Sequence, residues 1–193
     1  MNNDNTNLPN NNTNNNKYFK GVVILTYTGS PFKQLAEQSI KALEKEHIPY
    51  IIAENNKENS EYEMLAIKEG IKHFKKEFII LQDSCLLKSA DIIKQMFSID
   101  GSVFLSEAGL NYFNKYEIKI LNMMELPEVR TKRQAVDNEF AFNSKYKELD
   151  KPLIIPLVRD TDVFENAFGR KNMINENQYF KKYKGTWNLG MIK

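Results

Sequence analysis

The chain has 193 residues, of which 41% are hydrophobic and 27% charged, a composition that is normal for a soluble globular protein. A formal net charge of +2 gives no reason to expect binding to nucleic acid or to a membrane surface. Cys85 is the single cysteine, so no disulfide can form within the chain, and no apolar run approaches the roughly 20 residues that span a bilayer. Because the first residues also lack the pattern of a signal peptide, we expect a soluble, cytoplasmic protein.

Asparagine dominates the beginning of the chain, where it supplies ten of the first sixteen residues. Leu8 is the only large apolar side chain between positions 2 and 16. Such a segment cannot bury enough apolar surface to offset the entropy lost on ordering. The sequence therefore predicts a disordered, Asn-rich tail over residues 1–16 and one folded domain over residues 17–193.

Short apolar runs that end in polar residues open the folded part. We expect strands at 21–25, 50–53 and 78–81, with a helical segment between each pair. The order β-α-β-α-β is typical of a parallel sheet, whose strands are buried on both sides and rich in β-branched residues. This half of the chain therefore predicts an α/β fold.

The two helices between these strands carry recognisable start signals. Ser30 before Pro31 is typical of an N-cap followed by proline at the first helical position, and this helix is expected to reach about residue 46. Ser60 and Glu63 match a capping box that opens the second helix. In both helices the apolar residues recur at three- and four-residue spacing, which indicates one buried face.

The second half of the chain is less regular. Ser89 is expected to cap a third helix, and Pro156 indicates an edge strand because proline cannot donate to a ladder. Residues 111–124 are ambiguous, although Tyr116, Ile118 and Ile120 alternate as in a strand. The remaining predictions are a strand at 102–105, a helix over 137–146, the edge strand at 153–158, a helix over 162–168 and a basic, aromatic tail over 177–187.

Polar side chains follow each of the first three predicted strands. Thr26 and Tyr27 end the first strand, Glu54 ends the second, and Asp83 ends the third. In an open α/β sheet, ligands bind in the crevice outside the carboxyl ends of the parallel strands. These residues therefore predict a crevice for a ligand of the nucleotide type.

The same stretch resembles the start of a GT-A glycosyltransferase domain, closest to family 2, over about residues 20–100. The resemblance rests on four segments: Val23-Ile-Leu-Thr-Tyr27, Ile51-Ile-Ala-Glu54, Ala66-Ile-Lys-Glu-Gly70-Ile71 and Phe78-Ile-Ile-Leu-Gln-Asp83-Ser-Cys85. It implies a single Rossmann-like domain with a mainly parallel sheet and helices on both faces. It also implies transfer of a sugar from a nucleoside-diphosphate donor to an unknown acceptor.

In such a domain, the resemblance implies that Thr26, Tyr27 and Glu54 hold the nucleoside while Asp83 faces the diphosphate. The family's metal motif is Asp-x-Asp, and here Cys85 stands in place of the second aspartate. Asp83 alone can still ligate Mg²⁺ or Mn²⁺, since Mg²⁺ is often held by one or two carboxylates and phosphate oxygens, whereas a thiol is a soft ligand. Two alternatives stay open: Asp83 as a hydrogen-bond acceptor at a strand end, and Cys85 as a small buried residue.

The catalytic base is expected in the later half of the domain, where Asp137 and Glu139 form the best-placed acidic cluster. A carboxylate there could take the proton of the acceptor hydroxyl. The alternative is an acidic first turn of a helix, which the helix dipole favours. Glu107, at the end of a predicted strand, is a second candidate for the base or for contact with the acceptor.

Two cations near the end of the chain, Arg170 and Lys171, could stabilise a leaving diphosphate, or they could simply end a helix in a solvated loop. Two rival functions remain beside glycosyl transfer. One is a catalytically degenerate module of the same fold that binds nucleotide sugars or a partner. The other is binding of single-stranded nucleic acid by the tail over 177–187, although packing of Tyr183 and Trp187 against the domain explains that tail better.

Overall fold

A computed structural model describes residues 17–56, 61–105, 113–154, 174–176 and 178–183. The predicted tail over residues 1–16 and the predicted helix over 162–168 lie outside these ranges. None of the helices within them combines the length and the apolar composition that a bilayer crossing requires.

A six-stranded sheet forms the centre of the fold, with helices on both of its faces. Its strands, in spatial order, are β2 (Tyr50–Asn55), β1 (Tyr18–Tyr27), β3 (Phe74–Gln82), β6 (Phe113–Glu117), β5 (Val103–Phe104) and β7 (Leu153–Ile154). β1 runs parallel to both β2 and β3, whereas β6 runs antiparallel to its neighbours β3 and β5. The α/β class and the parallel arrangement of the first three strands are therefore confirmed, and the whole sheet is mixed.

A small three-stranded sheet lies next to the end of β3. It consists of β4 (Cys85–Leu87), β9 (Phe180–Tyr183) and β8 (Ile174–Glu176), in that order and with antiparallel pairing throughout. Only two residues, Asp83 and Ser84, separate β3 from β4. Residues from the end of the chain are thereby brought to the carboxyl end of β3.

The helices are α1 (Lys33–Lys45), α2 (Glu63–His73), α3 (Asp91–Ser98), α4 (Ile118–Leu121) and α5 (Lys132–Asp150). Buried residues of α1 and α3 join one apolar cluster, and those of α2, α4 and α5 join another. Within β1, Val22 and Ile24 belong to the first cluster while Val23 belongs to the second. This alternation shows that the sheet separates two cores, as expected for a strand buried on both faces.

Gly70 lets α2 approach the sheet closely. A Cβ atom at this position would lie 2.4 Å from ring atoms of Phe78 in β3, a distance that the packing cannot accommodate without movement. α2 also leads straight into β3, since His73 ends the helix and Phe74 begins the strand. The glycine within the Ala66–Ile71 segment therefore has a packing role.

Two of the predicted helix starts are wrong. α1 begins at Lys33 with Phe32 at the N-cap, and the Ser30 hydroxyl, just before the helix, donates to Asp83 Oδ2 at 2.6 Å. Tyr62 is the N-cap of α2, so Glu63 is its first residue, and Glu63 Oε1 accepts from the Tyr116 hydroxyl at 3.1 Å across the core. Both side chains make a tertiary hydrogen bond that the sequence pattern does not reveal.

The second half of the chain agrees with the sequence in part. The predicted strand over 102–105 and the predicted helix over 137–146 are present as β5 and as part of the longer α5. Strand alternation holds through Glu117, but Ile118 and Ile120 belong to the short helix α4. Both isoleucines are buried in the same apolar cluster, so their spacing of two residues indicated burial but not the type of element.

Candidate functional site

Three of the predicted ligand-binding residues lie in one row across the ends of β2, β1 and β3. The parallel register places Glu54 of β2 beside Thr26 of β1. Thr26 Oγ1 in turn donates to Asp83 Oδ2 at 2.8 Å, and the Asp83 amide donates to the Leu25 carbonyl at 2.9 Å. Chain segments far apart in sequence therefore bring these side chains to one edge of the sheet.

Asp83 ties the loop after β1 to the end of β3. It is only 6% exposed, and its Oδ2 accepts from both Thr26 Oγ1 and Ser30 Oγ. Ser30 Oγ also accepts from the Phe32 amide at 3.1 Å, which fixes the approach to α1. Through its Oδ2, Asp83 therefore acts as a hydrogen-bond acceptor at a strand end, which is one of the two interpretations that the sequence left open.

The end of β2 and the loop after β1 form the exposed part of this edge. Tyr27 and Glu54 are both exposed, and Glu54 Oε1 accepts from Thr28 Oγ1 at 3.1 Å. Gly29 adopts a φ of 80°, a conformation that glycine takes without strain, and a Cβ there would meet no atom within 4 Å. In the β1–β2 register Glu54 lies beside Thr26 and Tyr27 lies beside Asn55, so the exposed ring and the exposed carboxylate end neighbouring strands.

Lys182 is a functional candidate that sequence reasoning did not single out. It lies on β9 directly opposite Cys85 of β4 and is 4% exposed. Its Nζ donates to Gln82 Oε1 at 2.7 Å and to Ser84 Oγ at 2.6 Å. A signal was present: Phe180 and Lys182 are two residues apart, so in a strand a buried Phe180 directs Lys182 to the same side.

The two predicted candidates for the base occupy opposite environments on α5. Asp137 pairs with Arg133 at 2.9 Å and its side chain is 56% exposed, whereas Glu139 is buried. Burial lowers the pKa of the Lys182 ammonium, while Cys85, Asp83 and Glu139 oppose that shift. Glu139 is thus a buried carboxylate that raises the pKa of both Lys182 and Tyr116, whereas Asp137 faces solvent.

Cys85 is a buried thiol in the apolar cluster beneath α1 and α3. Burial raises its pKa from 9.0 to about 11, and Asp83 adds to the shift while Lys182 opposes it. The group is therefore a neutral thiol at pH 7. Ser39 holds the backbone here, since its hydroxyl donates to the Cys85 carbonyl at 3.2 Å and accepts from the Leu87 amide at 2.9 Å.

Among the described residues, protein side chains alone do not form a divalent-metal site around Asp83. Within them, no group of three or more His, Cys, Asp or Glu side chains is arranged to hold a metal. Asp83 Oδ2 already accepts two hydroxyl protons, and the neutral thiol of Cys85 is a poor ligand for Mg²⁺ or Mn²⁺. A cation is nevertheless present at the end of β3, namely Lys182.

A second polar cluster lies inside the core on the α2 and α5 side of the sheet. The Tyr116 hydroxyl contacts Glu63 Oε1, accepts from Asn114 Nδ2 at 3.0 Å and lies 2.8 Å from Asn143 Oδ1. Burial raises the pKa of Tyr116 well above its ordinary value, and the carboxylates of Glu63 and Glu139 raise it further. The phenol therefore stays protonated and serves as a hydrogen-bonding centre for this core.

Three further predicted residues, Glu107, Arg170 and Lys171, lie outside the described residues. No protein-family model matches the chain, and no curated protein matches it either. The case for a function accordingly rests on the geometry of the strand ends and on the residues that resemble a GT-A domain.

Proposed function

We propose that the protein transfers a sugar from a nucleoside-diphosphate donor to an acceptor hydroxyl. The observation that carries this proposal is the row of Glu54, Thr26 and Asp83 across the ends of three neighbouring parallel strands. Ligands of open α/β sheets bind outside such strand ends. The order of the segments in the chain, with its resemblance to a GT-A domain, supports a nucleotide sugar among the possible ligands.

Each side chain in the row has a proposed role. Glu54 at the open end of the row and Tyr27 at the end of β1 are proposed to contact the nucleoside, because both side chains are exposed. Thr26 and Asp83 lie deeper, beside the loop that leads to α1, and face the diphosphate. A buried carboxylate does not itself attract a diphosphate, so this arrangement requires a cation nearby.

Glu139 is the proposed base. In a displacement with inversion, the acceptor oxygen bonds to the anomeric carbon, the bond from that carbon to the diphosphate oxygen breaks, and a carboxylate takes the acceptor proton. Glu139 is buried within electrostatic reach of Lys182, whereas Asp137 is paired with Arg133 at the surface. The burial of Glu139 and the surface ion pair of Asp137 are why we assign the proposed base to Glu139.

A nucleotide-sugar-binding module without turnover is the second candidate. It is favoured by one observation, the engagement of Asp83 Oδ2 by two hydroxyls at a position where the resembling family uses a metal-binding carboxylate. Such a protein would keep the nucleoside contacts and lose the transfer step. Binding and turnover therefore have to be measured separately.

The test is a calorimetric binding screen of uridine, guanosine and cytidine diphosphate sugars, run beside an assay for release of the nucleoside diphosphate. We expect one donor to bind and to be turned over, and we expect Glu139→Gln to abolish turnover while keeping donor binding. Asp137→Asn, on the exposed side of the same helix, is the matched control and should remain active. Binding without turnover would favour the second candidate, and no binding of any donor would refute both.

A further inference from the structure

The position where the resembling motif has its second aspartate is occupied by Cys85, and the residue directly opposite it in the β4–β9 pair is Lys182. Opposed residues of an antiparallel pair direct their side chains to the same side. This position therefore has no carboxylate, and an ammonium group lies across from it.

The ammonium is held at the strand ends by residues on either side of Asp83. Gln82 and Ser84 accept hydrogen bonds from Lys182 Nζ, while Asp83 between them turns to Thr26 and Ser30. Of residues 82–84, the outer two therefore bind the ammonium group and the middle one binds two hydroxyl groups. This arrangement holds the positive charge within electrostatic reach of Asp83, which stands at the place of the resembling motif's first aspartate.

We propose that Lys182 is a built-in cation that stabilises the diphosphate of the bound nucleotide, in place of a divalent metal ion. The proposal rests on the proposed function, since it concerns the same crevice. Lysine binds phosphate groups as a point charge, and a charge surrounded by protein is screened far less than one in water. An ammonium that is 4% exposed therefore acts strongly on an anion at the strand ends.

The test compares nucleoside diphosphates with their nucleosides, by calorimetry in EDTA. Uridine, guanosine and cytidine diphosphates are measured beside uridine, guanosine and cytidine. We expect one diphosphate to bind without metal, and we expect Mn²⁺ to change its affinity less than about 3-fold. Lys182→Met should weaken that diphosphate by at least about 10-fold and leave the matching nucleoside unchanged, because hydrogen bonds to charged groups are among the strong ones.

The controls separate charge from folding. Lys181→Met changes the neighbouring lysine of β9, whose Nζ lies over the Tyr183 ring, and should bind the diphosphate as the parent does. Lys182→Arg keeps the charge and should retain more diphosphate affinity than Lys182→Met. If Lys182→Met fails to fold, the affinity of the unaltered protein for the diphosphate in EDTA and in Mn²⁺ still shows whether binding needs a divalent metal.

Two outcomes would overturn this inference while leaving the proposed function intact. One is diphosphate binding that needs Mn²⁺, with a gain of 10-fold or more over EDTA. The other is unchanged diphosphate affinity in folded Lys182→Met. If neither the diphosphates nor the nucleosides bind to the unaltered protein, the proposed function fails together with the inference that rests on it.

Discussion

Two buried lysines show how the same side chain serves different purposes in two regions of this protein. Lys115 lies on β6 in the interior of the sheet, where its Nζ pairs with Glu77 at 3.2 Å and donates to the carbonyls of Met96 and Ile99. It therefore neutralises a buried carboxylate and closes the end of α3. Lys182 instead lies beyond the end of β3, among side chains that border the proposed crevice.

The difference lies in what surrounds each charge. At Lys115 the ion pair and the backbone carbonyls of α3 belong to the packed core, so a change there acts on folding. At Lys182 two side-chain oxygens hold the ammonium beside Asp83, at the edge where ligands bind in such sheets. We therefore expect substitutions at Lys115 to affect stability and substitutions at Lys182 to affect diphosphate binding.

The largest expected effect is that of Lys115→Met on stability. Removing one partner of a buried ion pair leaves the other charge uncompensated, which costs about 3–5 kcal/mol. Glu77 would be that partner, since it is buried beneath α3. Chemical denaturation and a thermal melt should show this loss, with a fall in melting temperature on the order of 10 °C.

The matched control for this variant is the double substitution Lys115→Met with Glu77→Leu, which should regain part of the lost stability because no buried charge remains unpaired. Nucleotide affinity of the folded double variant should equal that of the parent. A neutral effect of Lys115→Met on unfolding would show that the ion pair is not structural, and the contrast between the two lysines would disappear.

The next largest expected effect is a low reactivity of the Cys85 thiol in the native protein. With its pKa raised from 9.0 to about 11, the thiolate fraction at pH 8 should be about 100-fold lower than for an ordinary thiol. Iodoacetamide labelling in native buffer should therefore be at least that much slower than in denaturant. Because the folded pKa is raised, this group's stabilising contribution is complete below pH 9 and is lost as the pH rises towards 11.

The pH dependence has its own control in Cys85→Ala. Stability of the parent should fall more steeply between pH 9 and 11 than that of Cys85→Ala, since only the parent has this thiol to ionise on unfolding. Equal slopes in the two proteins, or rapid labelling of the native parent, would contradict the burial of Cys85 beneath α1 and α3.

Glu54→Ala tests the open end of the row. Losing a charge-assisted hydrogen bond to the nucleoside should cost about 1.5–3 kcal/mol of donor affinity, with little change in stability because the side chain is exposed. Glu37→Ala, an exposed glutamate on α1, is the matched control. If Glu54→Ala binds every donor as the parent does, the nucleoside does not lie at the end of β2.

The smallest expected effect is that of Cys85→Asp on affinity for the nucleoside diphosphate, and it tests the role of the Lys182 charge. The new carboxylate would lie opposite Lys182 and neutralise it. We therefore expect metal-free affinity for the nucleoside diphosphate to fall about 10-fold, or roughly 1.4 kcal/mol. A calorimetric titration with Mn²⁺ should show no compensating gain. Tighter binding in the presence of Mn²⁺ would indicate that Asp83 and the new aspartate form a metal site.

Much of the fold could be predicted from the sequence, wherever the spacing of the buried apolar residues matched one type of element. The first three strands are buried on both sides, so each is a continuous apolar run, and the polar residues that follow it mark where the strand ends. α4 was not readable, because four residues contain too little of a helical period to differ from a strand. The start of α1 differs from the prediction by two residues, and the bond from the Ser30 hydroxyl to Asp83, 53 residues away, could not be read from the local pattern.

The site was readable only in part, for related reasons. Thr26, Glu54 and Asp83 each end a predicted strand, so the geometry of a parallel sheet was enough to bring them together. Lys182 required knowledge of the pairing between β4 and β9, which joins residues nearly 100 positions apart. The choice between Asp137 and Glu139 required the orientation of α5, because a helix separates the directions of two residues that are two positions apart.

The most direct test of a ligand site at the strand ends is a nuclear magnetic resonance titration of the isotope-labelled protein with uridine, guanosine and cytidine diphosphate sugars. We predict that one donor shifts the amide signals of residues 26–30, 54–55 and 82–84. The amides around Lys115 should remain unchanged. Shifts centred on Lys115, or no shifts with any of the three donors, would contradict a nucleotide-sugar site at the ends of these strands.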